Sequence, residues 1–207
     1  YRSLSYSYIL ILQSKYSVDA KIDELRDIYI KSMYYFLQAF NKRNPIYADI
    51  LNYVSLGVLL NIPDNNFRQL IDYVKQMDKQ AKPSGWTPDL LLWFMLNSRL
   101  KEQEKLKYAE TLAYPRLYNG LYKVIQAPNA AAAKDALNKY LDRWYNLNSD
   151  APWYNSHLKD NCYRGYWAWE VAAVAKIMHI DDSDLKNNQY YPYDMVHWAD
   201  NETTAKE

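Results

Sequence analysis

Glycine, cysteine and phenylalanine are all scarce, at four, one and four among 207 residues. The lone cysteine, Cys162, excludes an intramolecular disulfide and suits a reducing compartment, so a cytoplasmic protein is expected. Length makes covalent staples unnecessary, because a chain of this size buries about 70% of its unfolded surface. The longest apolar run, LLLWFML at 90–96, is far short of the ~20 residues that span a bilayer, and no membrane association is expected. Metal-ligand spacing is missing too. His157, His179, His197 and Cys162 form no His-x3-His, HExxH or CxxC pattern, and a regular helix would not aim His157 and Cys162 together. No glycine-rich phosphate loop, nucleophile elbow or paired-carboxylate motif is present. Neither a strong basic excess nor a basic motif points to nucleic acid. The expectation is a protein without metal, cofactor, catalytic residues, membrane anchor or direct nucleic-acid contact.

What the chain does have is tyrosine, 22 in all, and charge that is unevenly spread. Residues 1–140 carry 19 Lys and Arg against 13 Asp and Glu, while residues 141–207 carry 6 against 11. An acidic end of this kind complements a partner with a basic face. Tyrosine, apolar in body and polar at its tip, serves wet cores and protein interfaces alike.

Apolar residues recur with helical period in most segments, which with the glycine shortage predicts an all-α fold: a compact bundle of about eight helices and no sheet. In the first segment the stripe is Leu4, Tyr8, Ile11 and Leu12. A second helix runs to about Phe40, a third from Ile46 to Ile62 and a fourth from Asn65 to Gln80. Gly57 inside the third hints at close packing. Thr87 as cap and Pro88 at the first helical position open the fifth. A sixth covers 115–126, and a seventh starts at Asn129 with Ala133, Leu137, Leu141 and Trp144 inward. AKPSG at 81–85 is the strongest break, predicting an N-terminal half over 1–82 and a C-terminal half over 86–200, packed as one body.

The stretch from Tyr163 to Trp198 concentrates the unusual residues. At 100° per residue Tyr163, Trp167, Glu170, Val174 and Ile177 share one helical face, with Tyr166 at its edge. A carboxylate in mid-stripe must be bonded, paired or neutralised, and tyrosine, histidine or arginine donors are expected around Glu170. IDDSD at 180–184 reads as a turn whose side-chain oxygens bond backbone amides. It lacks the alternating spacing of a calcium loop. In YYPYD, Pro192 stiffens a chain flanked by Tyr190, Tyr191 and Tyr193, an aromatic clamp for the chain's end.

The run YRGYWAWEVAAVAKIMHIDDSDLKNNQYYPYD resembles the C-terminal signature of PoNi immunity proteins, bacterial proteins that neutralise PoNe-type polymorphic DNase toxins. RWYN at 143–146, WYNSH at 153–157, YVSLGVLLNIPD at 53–64 and Tyr16-Ser17 look similar to the family as well. The signature residues here are Tyr163, Gly165, Tyr166, Trp167, Glu170, Tyr191, Pro192 and Tyr193. One departure is Val18-Asp19, where members often carry glycine. The resemblance implies a non-catalytic cytoplasmic antitoxin whose partner is a cognate DNase toxin delivered by an interbacterial secretion system. A DNase presents cationic groups or metal ions to phosphates. The toxin is therefore expected to meet exposed acids late in the chain: Asp181, Asp182, Asp184 and Asp194, with Asp200 and Glu202 beyond. The competing readings are a hydrolytic enzyme centred on Glu170 with His157 or His197, and a helical protein-binding adaptor.

Overall fold

Long segments with an apolar stripe and few glycines have one good way to bury their backbone groups, the α-helix, and the computed structural model shows nine of them among the described residues and no strand. Residues 1–39, 46–79, 85–159 and 163–204 are described, with side chains through 199. Two compact units divide after Ala113. The AKPSG break expected as the boundary lies, except for Gly85, outside the described residues.

The first unit holds α1 (Arg2–Tyr16), α2 (Ile22–Ala39), α3 (Tyr47–Leu59), α4 (Asp64–Lys79) and α5 (Leu90–Asn97). Helices α1 and α2 form a hairpin, and the turn between them holds Asp19 at φ 58. That is the left-handed conformation glycine adopts most readily, kept here by an aspartate. The stripe on α1 differs from expectation: Leu12 is buried, but Leu4 and Ile11 are exposed and Ser5 is buried instead. A polar contact decides this face. The Ser5 and Tyr53 hydroxyls meet at 2.6 Å, Ser32 Oγ donates to the Ser5 carbonyl at 2.9 Å, and Tyr29 Oη donates to the Tyr53 carbonyl at 2.6 Å. Helix α3 is buried around most of its circumference, and Gly57 lets Phe67 and Tyr29 come against its backbone, where a Cβ would meet them at 3.0–3.3 Å.

Helix α5 starts later than Thr87-Pro88 suggested. Asp89 is its cap, with Oδ1 accepting from Leu92 N–H at 2.8 Å and from Tyr47 Oη at 2.9 Å, and Oδ2 accepting from Ala113 N–H at 2.7 Å. Aspartate is a stronger cap than threonine, and these three donors hold a fully buried carboxylate. The same bonds tie the 85–113 segment to α3, which is why α5 belongs to the first unit. Nearby, Asp78 accepts from the indoles of Trp86 and Trp93 at 2.7 and 2.6 Å.

The second unit holds α6 (Pro115–Ile125), α7 (Ala130–Leu147), α8 (Trp169–Met178) and α9 (Tyr193–Thr204). Asn129 caps α7 by accepting from Ala132 N–H at 2.9 Å, and Ala133, Leu137, Leu141 and Trp144 face inward as the pattern predicts. Helix α6 packs on α7 at Gly120, where a Cβ would come within 2.5 Å of the Tyr140 ring. The helix expected from Tyr163 begins only at Trp169. Residues 163–168 are non-helical, because Gly165 sits at φ 86 and Ala168 N–H is taken by the Tyr190 carbonyl at 2.9 Å. Tyr163 and Trp167 therefore lie off the α8 stripe.

Candidate functional site

Glu170 sits in the first turn of α8, 7% exposed, where the helix dipole favours a negative group. Its donor is not a tyrosine, histidine or arginine: Trp144 Nε1 donates to Glu170 Oε1 at 2.6 Å. Burial pushes the carboxyl up to about 7, with the backbone and Trp144 bonds opposing the shift. Tyr140, which also lines this spot, has its phenol pushed well up by burial and then by Glu170. The two histidines weighed as catalytic partners are engaged elsewhere. His157 Nδ1 is 2.8 Å from Tyr166 Oη, and His197 Nε2 is 2.7 Å from Asp182 Oδ1. A buried carboxyl held by an indole braces α7 against α8. Among the described residues no group of three or more His, Cys, Asp or Glu side chains is arranged to hold a metal ion. Cys162 lies outside the described residues.

The acidic turn divides by role. Asp182 is 2% exposed, and its Oδ2 accepts from Tyr191 Oη at 2.6 Å. With His197 on its other oxygen, it fastens both the YYPYD segment and α9 to the turn. Its side chain is turned into the fold. Asp181 and Asp184 are on the surface: Lys134 of α7 donates to Asp181 Oδ2 at 2.8 Å and lies 3.2 Å from Asp184 Oδ1, and Asn138 Nδ2 donates to Asp184 Oδ2 at 2.9 Å. The Lys134 bond holds the Asp181 carboxyl well below its ordinary range, and the Asn138 bond does the same, more mildly, for Asp184. Asp181 also accepts from Ser183 N–H at 3.2 Å, shaping the turn. Asp194 is exposed in the first turn of α9. The side chains of Asp200 and Glu202 are outside the description.

Around Trp144 the sequence reading missed a convergence. RWYN, WYNSH, YRGYW and YYPYD, spread over some fifty residues, bring their rings to one place. Trp153 stacks on Trp144 with centroids 5.4 Å apart, and Tyr145 lies parallel to Tyr190 at 5.2 Å. Tyr154 is 4.5 Å from Tyr145, Tyr166 is 5.1 Å from Tyr145 and 5.5 Å from Trp153, and Tyr163 meets Tyr166 edge-on at 5.0 Å. Hydrogen bonds fix the frame: Tyr145 Oη donates to Asn155 Oδ1 at 2.8 Å, and His157 N–H donates to Tyr166 Oη at 3.0 Å. Asn155 reaches this position in the left-handed conformation, at φ 56. Burial, and then Tyr154, Tyr163 and Tyr166, pushes the Tyr190 phenol up. Tyr166 and Trp144 are buried, Trp153, Tyr154 and Tyr190 half-buried, and Tyr163 exposed. Repeated Tyr-Trp pairs were the available signal. Helical periodicity, applied to a segment that is not helical, hid it.

The family model described as PoNe immunity protein, N-terminal, matches residues 1–72, and the one described as PoNe immunity proteins, C-terminal, matches residues 87–195. No curated protein and no solved structure matches the chain.

Proposed function

Since the chain belongs to the PoNe immunity protein family, as its two family models establish, we propose that it neutralises a cognate PoNe nuclease by binding it directly. The partner is a DNase injected by a neighbouring cell, met in the cytoplasm. Inhibition needs no chemistry from the chain, only a rigid surface complementary in shape and charge. The observation carrying this reading is the family match over both units; the acidic surplus of residues 141–207 supports its electrostatic form. A nuclease concentrates positive charge where it meets phosphates, and such a face is drawn to acids. Among those acids whose side chains are described, Asp181, Asp184 and Asp194 are exposed, and Asp182 serves the fold.

Association kinetics with the purified nuclease, at two salt concentrations, test this. Wild-type association should slow markedly as salt rises, since exposed charges are screened beyond about 8 Å at physiological ionic strength. Asp184→Asn and Asp194→Lys should weaken binding with little change in melting temperature. Salt-independent association with unaffected variants would show that acids do not guide the encounter.

A further inference from the structure

The core uses little of the apolar stripe on α1. Within that helix Ser5 and Leu12 alone are buried, while Leu4 is 45% and Ile11 43% exposed and Tyr8 is half-buried. These side chains are not scattered. Leu4, Tyr8, Ile11 and Lys15 follow one another at spacings of four, three and four, and on α2 so do Glu24, Ile28, Lys31 and Tyr35. Such spacing keeps each set on one side of its helix, as in a helix-packing seam. Contacts place the two sets side by side. Lys15 Nζ is 2.6 Å from Glu24 Oε1, and Tyr8 lies parallel to Tyr35 with ring centroids 5.8 Å apart. Tyr34, 57% exposed, meets Tyr35 edge-on at 5.3 Å and widens the strip. The α1–α2 hairpin thus turns a two-helix apolar strip to solvent, and strips of this kind mark interfaces.

The charges of the strip identify its occupant. Lys15 and Glu24 neutralise each other, which leaves Asp27 and Lys31. Both are exposed, one helical turn apart on α2, and neither makes an ion pair among the described residues. Two acids and two bases sum to zero, so this strip exerts no long-range pull on the positive face of a nuclease; the acidic surplus lies in residues 141–207. A neutral surface with one unpaired charge of each sign on a single helix complements itself. When two α2 helices lie antiparallel across a two-fold axis level with residue 29, Lys31 of each copy faces Asp27 of the other. The leucine, isoleucine and tyrosine side chains of the two hairpins then close the apolar part. We propose that this face, Leu4, Tyr8 and Ile11 of α1 with Asp27, Lys31 and Tyr34 of α2, joins two copies of the chain in a symmetric dimer, with four helices meeting at the interface. The residues engaged are separate from the acids assigned to the nuclease, and the dimer does not rest on that assignment.

Sedimentation of the full chain tests this, with concentration carried to about 100 μM, where a micromolar contact is saturated. The wild type should reach a dimer. Leu4→Glu and Tyr34→Glu, at exposed positions, should weaken it by about tenfold or more with little change in melting temperature. Asp27→Lys and Lys31→Asp should each weaken it as well, because like charges then oppose across the axis. The Asp27→Lys/Lys31→Asp double variant should recover to within about threefold of wild type. A wild type that stays monomeric at the highest concentration would overturn the proposal, as would a dimer that the four single variants leave intact. If the wild type is monomeric and Leu4→Glu instead weakens its complex with the PoNe nuclease, the strip belongs to the nuclease and the second copy is the wrong occupant.

Discussion

Tyr191 Oη and Asp182 Oδ2 lie 2.6 Å apart, joining the centre of the aromatic clamp to the centre of the acidic turn. Both groups are almost fully buried, and burial together with Asp182 pushes the Tyr191 phenol far above its ordinary range, so it stays a donor at any working pH. Asp182→Ala would strand the Tyr191 hydroxyl and loosen His197. It should cost about 1–3 kcal/mol, the penalty of a buried polar group left unmade. Asp184→Asn keeps an acceptor for Asn138 and gives up only a solvent-screened ion pair with Lys134, so it should cost no more than about 0.5 kcal/mol. Urea unfolding of the two variants tests this, and equal effects would remove the distinction between clamp and surface acid.

The same clamp makes the end of the chain part of the fold. A chain truncated before Asn187 loses Tyr191, Pro192, Met195 and Val196, all buried, and should aggregate or unfold without a sharp transition. Cooperative melting at the wild-type temperature would show that the segment is dispensable.

Glu170 sets a pH dependence with a definite sign. Its folded-state carboxyl is raised from 4.5 to about 7, so between those values the folded chain holds a proton that the unfolded chain has lost. The contribution is fully present below about pH 4.5 and declines until about pH 7. Asp78 and Asp89, also raised by burial, act in the same direction, and Asp64 and Asp184, lowered by their partners, oppose it. Glu170→Gln isolates one group, because the amide oxygen can still accept from Trp144. Relative to wild type it should gain on the order of 3 kcal/mol between pH 4.5 and 8. A constant difference across that range would mean the carboxyl is not perturbed.

Gly120 has no room for a side chain, since a Cβ would come within 2.5 Å of Tyr140. Gly120→Ala should therefore destabilise by about 1–3 kcal/mol, despite alanine's better helix propensity. If Tyr140→Leu in the same background restores the loss, the steric origin is established.

The α1–α2 turn offers a test in the opposite direction. Asp19 occupies the left-handed region, so Asp19→Gly should be neutral or slightly stabilising, while Asp19→Val should cost about 1–2 kcal/mol. Thermal melts of the two variants would separate them, and equal melting temperatures would argue against a constrained turn.

Most of the helices were legible because their stripes are long: α4, α6 and α7 fall within a residue or two of the periodic expectation. What escaped was decided by bonds between distant residues. Ser5 is buried on α1 because Ser32 and Tyr53 wait on other helices, and Asp89 is buried because Tyr47 and Ala113 donate to it. No window of sequence contains such pairs. At the candidate site, Glu170 was recognisable as a buried carboxyl, but its Trp144 donor lies 26 residues upstream. Reading Tyr163 and Trp167 onto the helix followed a period that Gly165 interrupts, and it concealed the ring cluster that brings four motifs together.

Neutralisation by direct binding can be read from a cleavage titration. A fixed amount of PoNe nuclease is mixed with plasmid DNA and increasing amounts of the full chain, and the intact DNA is measured. Cleavage should fall as the chain approaches the nuclease in molar amount and stop near equivalence. Undiminished cleavage with the folded chain in tenfold excess would contradict it.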